Sequence, residues 1–130
     1  MNEKIFRKLE RRAKILVKTN GFRCLHISFV LRRNKVVVYG MNENKTDGFA
    51  VKCGQRWGFK HAEMACIKRL QKLDIKPADC IIVNLRLSRK LWRPVAAAPC
   101  PVCRKAIVKV GIPVVYYSTN NNKLEFIKLL

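Results

Sequence analysis

The sequence predicts an α/β protein, a three-layer α/β/α single domain of residues 1–130 with a mixed five-stranded sheet whose last two strands form an antiparallel hairpin. Apolar residues make up 49% of the 130-residue chain, enough for one compact core. Strand-like and helix-like segments alternate along the chain, which is typical of this class. No repeat or low-complexity linker interrupts them, so we expect a single domain.

The first half of the chain predicts one helix followed by a hairpin. Apolar residues recur at near-helical spacing within residues 3–18, with basic residues between them. "CLHISFVL" and "KVVVYGMN" are β-rich runs joined by "RRN", which indicates a hairpin. A glycine-containing loop, residues 44–59, then leads to a helix that begins at His61. The apolar residues of the first helix are Ile5, Leu9, Ala13 and Leu16.

The second half predicts the remaining strands and one more helix. "ADCIIVNLRL" reads as a buried strand, a loop of residues 88–98 follows, and a short helix begins after Cys100. This alternation implies crossovers between parallel strands of one sheet. "GIPVVYYS" and "KLEFIKLL" are the last two strands, and only "TNNN" separates them. A parallel pair needs about a dozen connecting residues, so we expect an antiparallel hairpin there.

Charge is the strongest feature of the composition. There are 28 Lys and Arg residues against 8 Asp and Glu, a formal net charge of +20. Such a field attracts polyanions, of which nucleic acid is the first candidate and an anionic membrane surface the second. A generally basic proteome is the alternative explanation. No apolar run is long enough to span a bilayer, and "MNEKIFRKLERRAK" lacks the pattern of an export signal.

The cysteines bear on whether the protein is expected in an oxidising or a reducing compartment. Their even number permits disulfides, but without an export signal a reducing intracellular compartment, cytoplasmic or nuclear, fits better. Thiols there are expected to be buried or metal-bound. The six cysteines are Cys24, Cys53, Cys66, Cys80, Cys100 and Cys103.

Two short motifs predict a metal site. Cys100 and Cys103 share one face of a helix whose first turn Pro101 suits, and the helix dipole there favours thiolate. His61 offers an imidazole at the start of the other helix. Two thiolates and one imidazole can hold a zinc ion that keeps a fourth position open, as catalytic zinc sites do. Glu63 would then be free to act as a base.

Each motif alone has another interpretation. His61 could be a surface or capping residue, and Cys-Pro-Val-Cys could be a redox motif of the thioredoxin or glutaredoxin kind. Their conjunction favours the metal, because both helices follow parallel strands and so begin at the same edge of the sheet. A second metal site could use the spare thiols of Cys24, Cys53, Cys66 and Cys80.

"HAE" followed by "PCPVC" resembles the zinc-dependent cytidine deaminase superfamily. The resemblance runs from about Val36 to Ser118 and includes "VVVYGMN" and "AIVKVGIPVVYYS". It implies a Zn²⁺ cofactor, hydrolysis of cytosine to uracil, and Glu63 as the proton shuttle. The zinc ligands that it implies are His61, Cys100 and Cys103.

The resemblance also implies residues that contact the substrate. The Ala62 N–H would meet the pyrimidine O2, the Ala98 carbonyl would accept from the exocyclic amine, and Asn42 would contact the sugar. Polynucleotide-editing enzymes often carry serine at the position of Ala98. The backbone carbonyl is present with either residue, so recognition of the amine does not require the serine. The tryptophan that those enzymes place before "PC" is also missing.

Two loops make single-stranded DNA or RNA the expected substrate. "FAVKCGQRWGFK" and "SRKLWRP" mix aromatic and basic residues and contain no acid. Aromatic faces stack on unpaired bases and cations hold phosphates, although either tryptophan could instead be partly core. The candidate contacts are Lys52, Arg56, Trp57, Phe59, Lys60, Arg89, Lys90, Trp92 and Arg93.

Other functions remain open. The predicted final hairpin resembles the free-cytidine branch of the superfamily, because the tRNA adenosine deaminases and the vertebrate editing enzymes insert a helix there. Free cytidine, deoxycytidine or its monophosphate is therefore the alternative substrate. A basic nucleic-acid-binding module with a structural zinc is a third hypothesis. We give the charge more weight than the topology and expect a zinc-dependent cytosine deaminase of single-stranded nucleic acid without a membrane partner.

Overall fold

The structure is a computed structural model that describes residues 1–46 and 59–129. Three α-helices lie in these ranges: α1 (Glu3–Thr19), α2 (Ala62–Gln71) and α3 (Pro101–Val110). A single-turn 3-10 helix, Pro77–Asp79, precedes the central strand. The strands are β1 (His26–Arg32), β2 (Lys35–Met41), β3 (Glu43–Thr46), β4 (Phe59–Lys60), β5 (Cys80–Leu87), β6 (Pro94–Val95), β7 (Val114–Ser118) and β8 (Leu124–Lys128).

A mixed sheet forms the centre of the fold. Its strand order is β2-β1-β5-β7-β8, and the short β6 pairs with the end of β5. β5 and β7 are parallel, whereas β1 pairs antiparallel with both β2 and β5. β7 and β8 form the predicted antiparallel hairpin, with Tyr116 opposite Phe126. The α/β class and the five long strands are therefore confirmed. β6 is an additional two-residue strand.

Strand direction places the two motif helices at one edge of the sheet. β2 and β5 are both antiparallel to β1, so they run the same way although β1 separates them. α2 follows β2 along the chain and α3 follows β5. Both helices therefore begin at the carboxyl-terminal edge of the sheet, as the sequence predicts.

The β1–β2 connection shows why the hairpin forms. Its two turn residues, Arg33 and Asn34, have φ angles of 52° and 64°. A two-residue turn with both φ angles positive matches the twist of the paired strands, and asparagine tolerates that conformation well. The predicted hairpin is confirmed.

Helices cover both faces of the sheet. α1 lies on one face and buries Phe6, Leu9, Ala13 and Val17 against β1 and β5. The sequence predicts Ile5 and Leu16 in this stripe, but both are only partly buried because the buried stripe is rotated by one residue at each end. α2 and α3 lie on the other face and complete the three layers. The buried residues of that second core are Val30, Met64, Cys66, Ile67, Leu70, Cys80, Ile82, Cys103, Ala106, Ile107, Ile112 and Val115.

The two predicted loops contain short strands. β3 and β4 pair with each other just before α2 and overlap the two ends of the predicted loop 44–59, and β6 lies in the predicted loop 88–98. Both ribbons are too short to show a periodic pattern in the sequence. Among the described helices, none is long and apolar enough to cross a membrane.

Candidate metal centre and active site

Gly40 allows α2 to begin close to the sheet. A Cβ atom at this position of β2 would lie 2.5 Å from the backbone nitrogen of Cys66 and 2.6 Å from the Ala62 carbonyl oxygen. Side-chain atoms do not tolerate such contacts with backbone, so only glycine fits here. The close approach sets the first turn of α2 directly above the end of β2.

His61 is the residue before the first turn of α2, with φ −68° and ψ 162°. Its side chain makes no capping hydrogen bond. Instead, Nδ1 faces the thiols of α3, at 3.2 Å from Cys103 Sγ and 3.8 Å from Cys100 Sγ. The structure thus favours the metal-ligand interpretation of this histidine over the capping one.

Cys100 and Cys103 occupy the first turn of α3. Cys100 is the N-cap residue, Pro101 follows at the first helical position, and the Cys100 sulfur accepts a hydrogen bond from the Cys103 N–H. A helix N-terminus carries partial positive charge, which stabilises thiolates. Cys103 is buried and Cys100 is partly buried.

The three donor atoms suit a zinc ion. The side-chain nitrogen of His61 and the two sulfurs lie within 4.8 Å of one another. In a tetrahedral zinc site the nitrogen–sulfur edges are about 3.5 Å, close to both observed distances. Burial raises the pKa of the Cys103 thiol, and the neighbouring Glu63 and Cys100 raise it further. A bound divalent cation would supply the positive charge that balances the Glu63 carboxylate and the thiolates of Cys100 and Cys103.

Glu63 lies beside the donors in the first turn of α2. Only 1% of the residue is exposed, and its Oε1 atom has no hydrogen-bond partner among the described residues. An unpaired buried carboxylate oxygen is costly, which makes Glu63 a candidate functional residue. Among the described residues, the cluster of possible metal donors consists of His61, Cys100 and Cys103 and does not include Glu63.

The structure also places the other predicted site residues. Asn42 follows β2, and its Oδ1 accepts the Ala62 N–H at 2.7 Å. The Ala62 N–H that is predicted to meet the pyrimidine O2 is therefore donated to Asn42 in the structure. Ala98 is exposed in the segment between β6 and α3. These three residues come to the carboxyl-terminal edge of the sheet, where α2 and α3 begin.

Sequence reasoning missed the histidine that lies beside Glu63. His26 begins β1, and its Nε2 atom lies 3.6 Å from Glu63 Oε1. Two residues further along the same strand, Ser28 donates to Asn84 of β5 at 2.7 Å, while Asn84 Nδ2 has no partner among the described residues. The signal available in the sequence was that the chain has only two histidines and that both lie at the start of an element.

The predicted nucleic-acid contacts are only partly described. Lys52, Arg56 and Trp57 lie outside the described residues, and Phe59 and Lys60 make up β4. The contacts Arg89, Lys90 and Arg93 are exposed.

Trp92 lies on the face of the sheet that α1 covers, packed against that core rather than against the metal donors. Its ring centroid is 5.6 Å from that of Phe22, and Lys18 Nζ lies 5.8 Å from the Trp92 centroid. Arg89 donates to the Phe22 carbonyl at 2.9 Å. We call Lys18, Phe22, Arg89 and Trp92 the aromatic–basic patch.

The family follows from comparison with known proteins. Residues 8–119 match the family described as "Cytidine and deoxycytidylate deaminase zinc-binding region". The chain therefore belongs to this deaminase family, as a hydrolase with a zinc cofactor and a His/Cys/Cys donor cluster. No curated protein matches the sequence.

Solved structures of similar fold include two deaminases. Cytidine deaminase from Burkholderia pseudomallei is 13% identical with a TM-score of 0.65, over 99% of this chain and 94% of that one. dCMP deaminase from the cyanophage S-TIM5 in apo form is 18% identical with a TM-score of 0.61, over 90% and 84%. The same phage enzyme in complex with dCMP and dUMP is 19% identical with a TM-score of 0.59, over 90% and 82%. At these identities the likeness establishes the fold.

Proposed function

We propose that this chain, as one domain of residues 1–130, hydrolyses the 4-amino group of cytosine in a free nucleoside or nucleotide, which converts the base to uracil within the same nucleoside or nucleotide and releases ammonia. The observation that carries the proposal is the buried Glu63 carboxylate with an unpaired oxygen beside the donor atoms of His61, Cys100 and Cys103. A metal site with three protein donors leaves one position for a reactant, as catalytic zinc sites do. A purely structural zinc would leave Glu63 without a role.

Each site residue has its own role in the proposed reaction. His61, Cys100 and Cys103 hold the zinc ion, which when bound makes water a nucleophile near neutral pH. Glu63 accepts the two protons of the attacking water one after the other, and delivers one to N3 and the other to the leaving amine. One water molecule enters at C4 and one ammonia leaves, so atoms and charge balance. Asn42, Ala62 and Ala98 orient the substrate at the edge of the site.

A free nucleoside or nucleotide is the substrate that the comparisons favour. The similar solved structures are titled as a cytidine deaminase and as a dCMP deaminase, the latter also with dCMP and dUMP. The antiparallel β7–β8 hairpin points the same way, since the sequence resemblance associates it with the free-cytidine branch. The free nucleoside or nucleotide, which the sequence analysis gave as the alternative substrate, is therefore better supported than single-stranded nucleic acid, which it preferred.

Side-by-side product analysis tests this proposal. Zinc-loaded protein is incubated with cytidine, deoxycytidine, dCMP, adenosine, and cytosine-containing single-stranded DNA and RNA, and products are read by mass spectrometry. We expect a mass increase of about one dalton in a free cytosine substrate, from replacement of the amine by oxygen. Conversion of adenosine alone, or of no substrate at all, would contradict the proposal.

Single-stranded nucleic acid is the second candidate substrate, and two observations favour it. The chain carries a net charge of +20, far more than one substrate phosphate requires. The aromatic–basic patch sets an aromatic pair among cations, and the segments 18–23 and 86–93 that build it contain no acidic residue. Stacking surfaces beside cations suit unpaired bases and their phosphates. Conversion of the oligonucleotides, but not of the free substrates, would establish this candidate instead.

A further inference from the structure

His26 is the residue of β1 that faces the proposed proton shuttle. Its Nε2 atom lies 3.6 Å from Glu63 Oε1, slightly beyond hydrogen-bond distance. It does not belong to the described cluster of metal donors, which consists of His61, Cys100 and Cys103. Its side chain is 21% exposed, against 2% for that of Glu63. The contact therefore joins two catalytic-site side chains that no sequence motif connects.

The two facing atoms are both unpaired. His26 Nε2 and Glu63 Oε1 are buried, and neither has a hydrogen-bond partner among the described residues. Folded proteins rarely leave a buried donor and a buried acceptor unpaired, because each has lost its bond to water. Two such atoms side by side are complementary, and a small movement would join them. Catalytic hydrogen bonds are often long before the substrate binds and shorten afterwards.

The imidazole is suited to act as a neutral donor. Burial lowers the pKa of His26, although the Glu63 carboxylate opposes this effect. A neutral imidazole carries one ring hydrogen, and only the tautomer with that hydrogen on Nε2 can donate to Glu63. The neutral form adds no charge to a site that already receives a metal cation.

We propose that His26 is a positioning residue for deamination, whose Nε2–H holds Glu63 Oε1 so that the other carboxylate oxygen faces the substrate. This inference rests on the proposed function of Glu63. A carboxylate held at one oxygen keeps a single orientation, and orientation is worth a large factor in rate. Without the imidazole, the Glu63 carboxylate would lose this positioning contact.

A double-mutant cycle tests the proposal. His26→Phe removes the donor and His26→Gln can restore one, and each is measured alone and in the Glu63→Gln background. We expect His26→Phe to lower kcat by about 10- to 100-fold with KM and zinc content retained, and His26→Gln to recover part of the loss. In the Glu63→Gln background the same change should cost little, because the group that it positions is already gone. An equal loss in both backgrounds would overturn the proposal.

Ser28→Ala is the matched control. It removes a buried hydrogen bond from the same face of β1, the bond to Asn84, without touching Glu63. We expect it to lower the free energy of unfolding while kcat stays near that of the wild type. A kcat loss in Ser28→Ala as large as that in His26→Phe would mean that the strand, and not the imidazole, matters.

A spectroscopic readout keeps the test independent of turnover and of whether the Phe variant folds. The ¹⁵N resonances of labelled imidazoles report which ring nitrogen carries hydrogen. We expect the hydrogen of His26 on Nε2 and a change of that resonance in Glu63→Gln. Hydrogen on Nδ1 would overturn the proposal. An inactive wild type with hydrogen on Nε2 would instead count against the proposed function.

Discussion

The backbone N–H of Ala62 donates to the side-chain oxygen of Asn42 at 2.7 Å, which ties the end of β2 to the first turn of α2. The first N–H groups of a helix have no partner within the helix, and His61 provides no side-chain cap. Asn42 satisfies one of these donors from a distant part of the chain. The same N–H is the one that the resemblance assigns to the substrate.

We expect Asn42→Ala to lower the free energy of unfolding by about 1 kcal/mol, the usual cost of losing a side-chain acceptor at a helix N-terminus. It should also raise KM, because Asn42 is proposed to contact the sugar. Asn42→Asp is the matched control: it keeps the acceptor and adds a charge that the helix dipole favours, so stability should be retained. Chemical denaturation and steady-state kinetics measure the two effects. Equal losses of stability in both variants would contradict this account of the contact.

Replacement of Glu63 by glutamine should separate catalysis from metal binding. Because the described donor cluster does not need Glu63, Glu63→Gln should keep the fold and the zinc. It should lose about 100-fold or more in kcat, since an amide cannot shuttle protons. Glu125→Gln, an exposed acid on β8, is the control and should leave kcat unchanged. Unchanged turnover in zinc-loaded Glu63→Gln would exclude the proton-shuttle role.

Zinc content should depend on two of the cysteines and not on the others. We expect about one zinc per chain, lost in Cys100→Ser and in Cys103→Ser, because each removes one of three donors. Cys80→Ser is the matched control, since this buried thiol contacts the Lys76 carbonyl at the other end of β5 and a hydroxyl can do the same. Elemental analysis of the purified variants gives the ratio. Full zinc occupancy in both Cys100→Ser and Cys103→Ser would refute the assigned site.

Salt dependence should distinguish the two candidate substrates. If a single-stranded oligonucleotide binds, the log of its affinity should fall with the log of salt concentration by about 0.7 for each phosphate neutralised. Lys90→Gln or Arg93→Gln should then make the slope shallower. Trp92→Leu should weaken binding at an unchanged slope if the ring stacks on a base, a loss of about 1–3 kcal/mol. A shallow slope in the wild type would favour the free-nucleotide substrate.

The metal donors could be predicted because their pattern is local. Cys100 and Cys103 share one helical turn, and His61 marks a helix start, so spacing alone brings each motif to a helix end. The edge at which they meet follows from strand direction, which the alternation of elements indicates. The sequence alone therefore identifies all three donors and the edge of the sheet on which they lie.

The sequence did not place His26 beside Glu63, and for Trp92 it left two interpretations open, a nucleic-acid contact and a partly buried core residue. His26 meets Glu63 only because β1 lies between β2 and β5, and the order of strands within a sheet is not encoded in any local pattern. Trp92 has a positive φ of 51°, and its side chain packs against the core on the face of the sheet that α1 covers. Bulky residues rarely adopt this conformation, so periodicity and composition do not predict it.

Turnover as a function of zinc occupancy tests the central claim most directly. Protein stripped with a chelator is reloaded with increasing zinc, and the conversion of cytidine and of dCMP is measured at each bound ratio. We predict that the rate for at least one of these substrates rises in proportion to bound zinc and levels off at about one zinc per chain. Conversion that is independent of bound zinc, or no conversion of either substrate at full occupancy, would contradict the account.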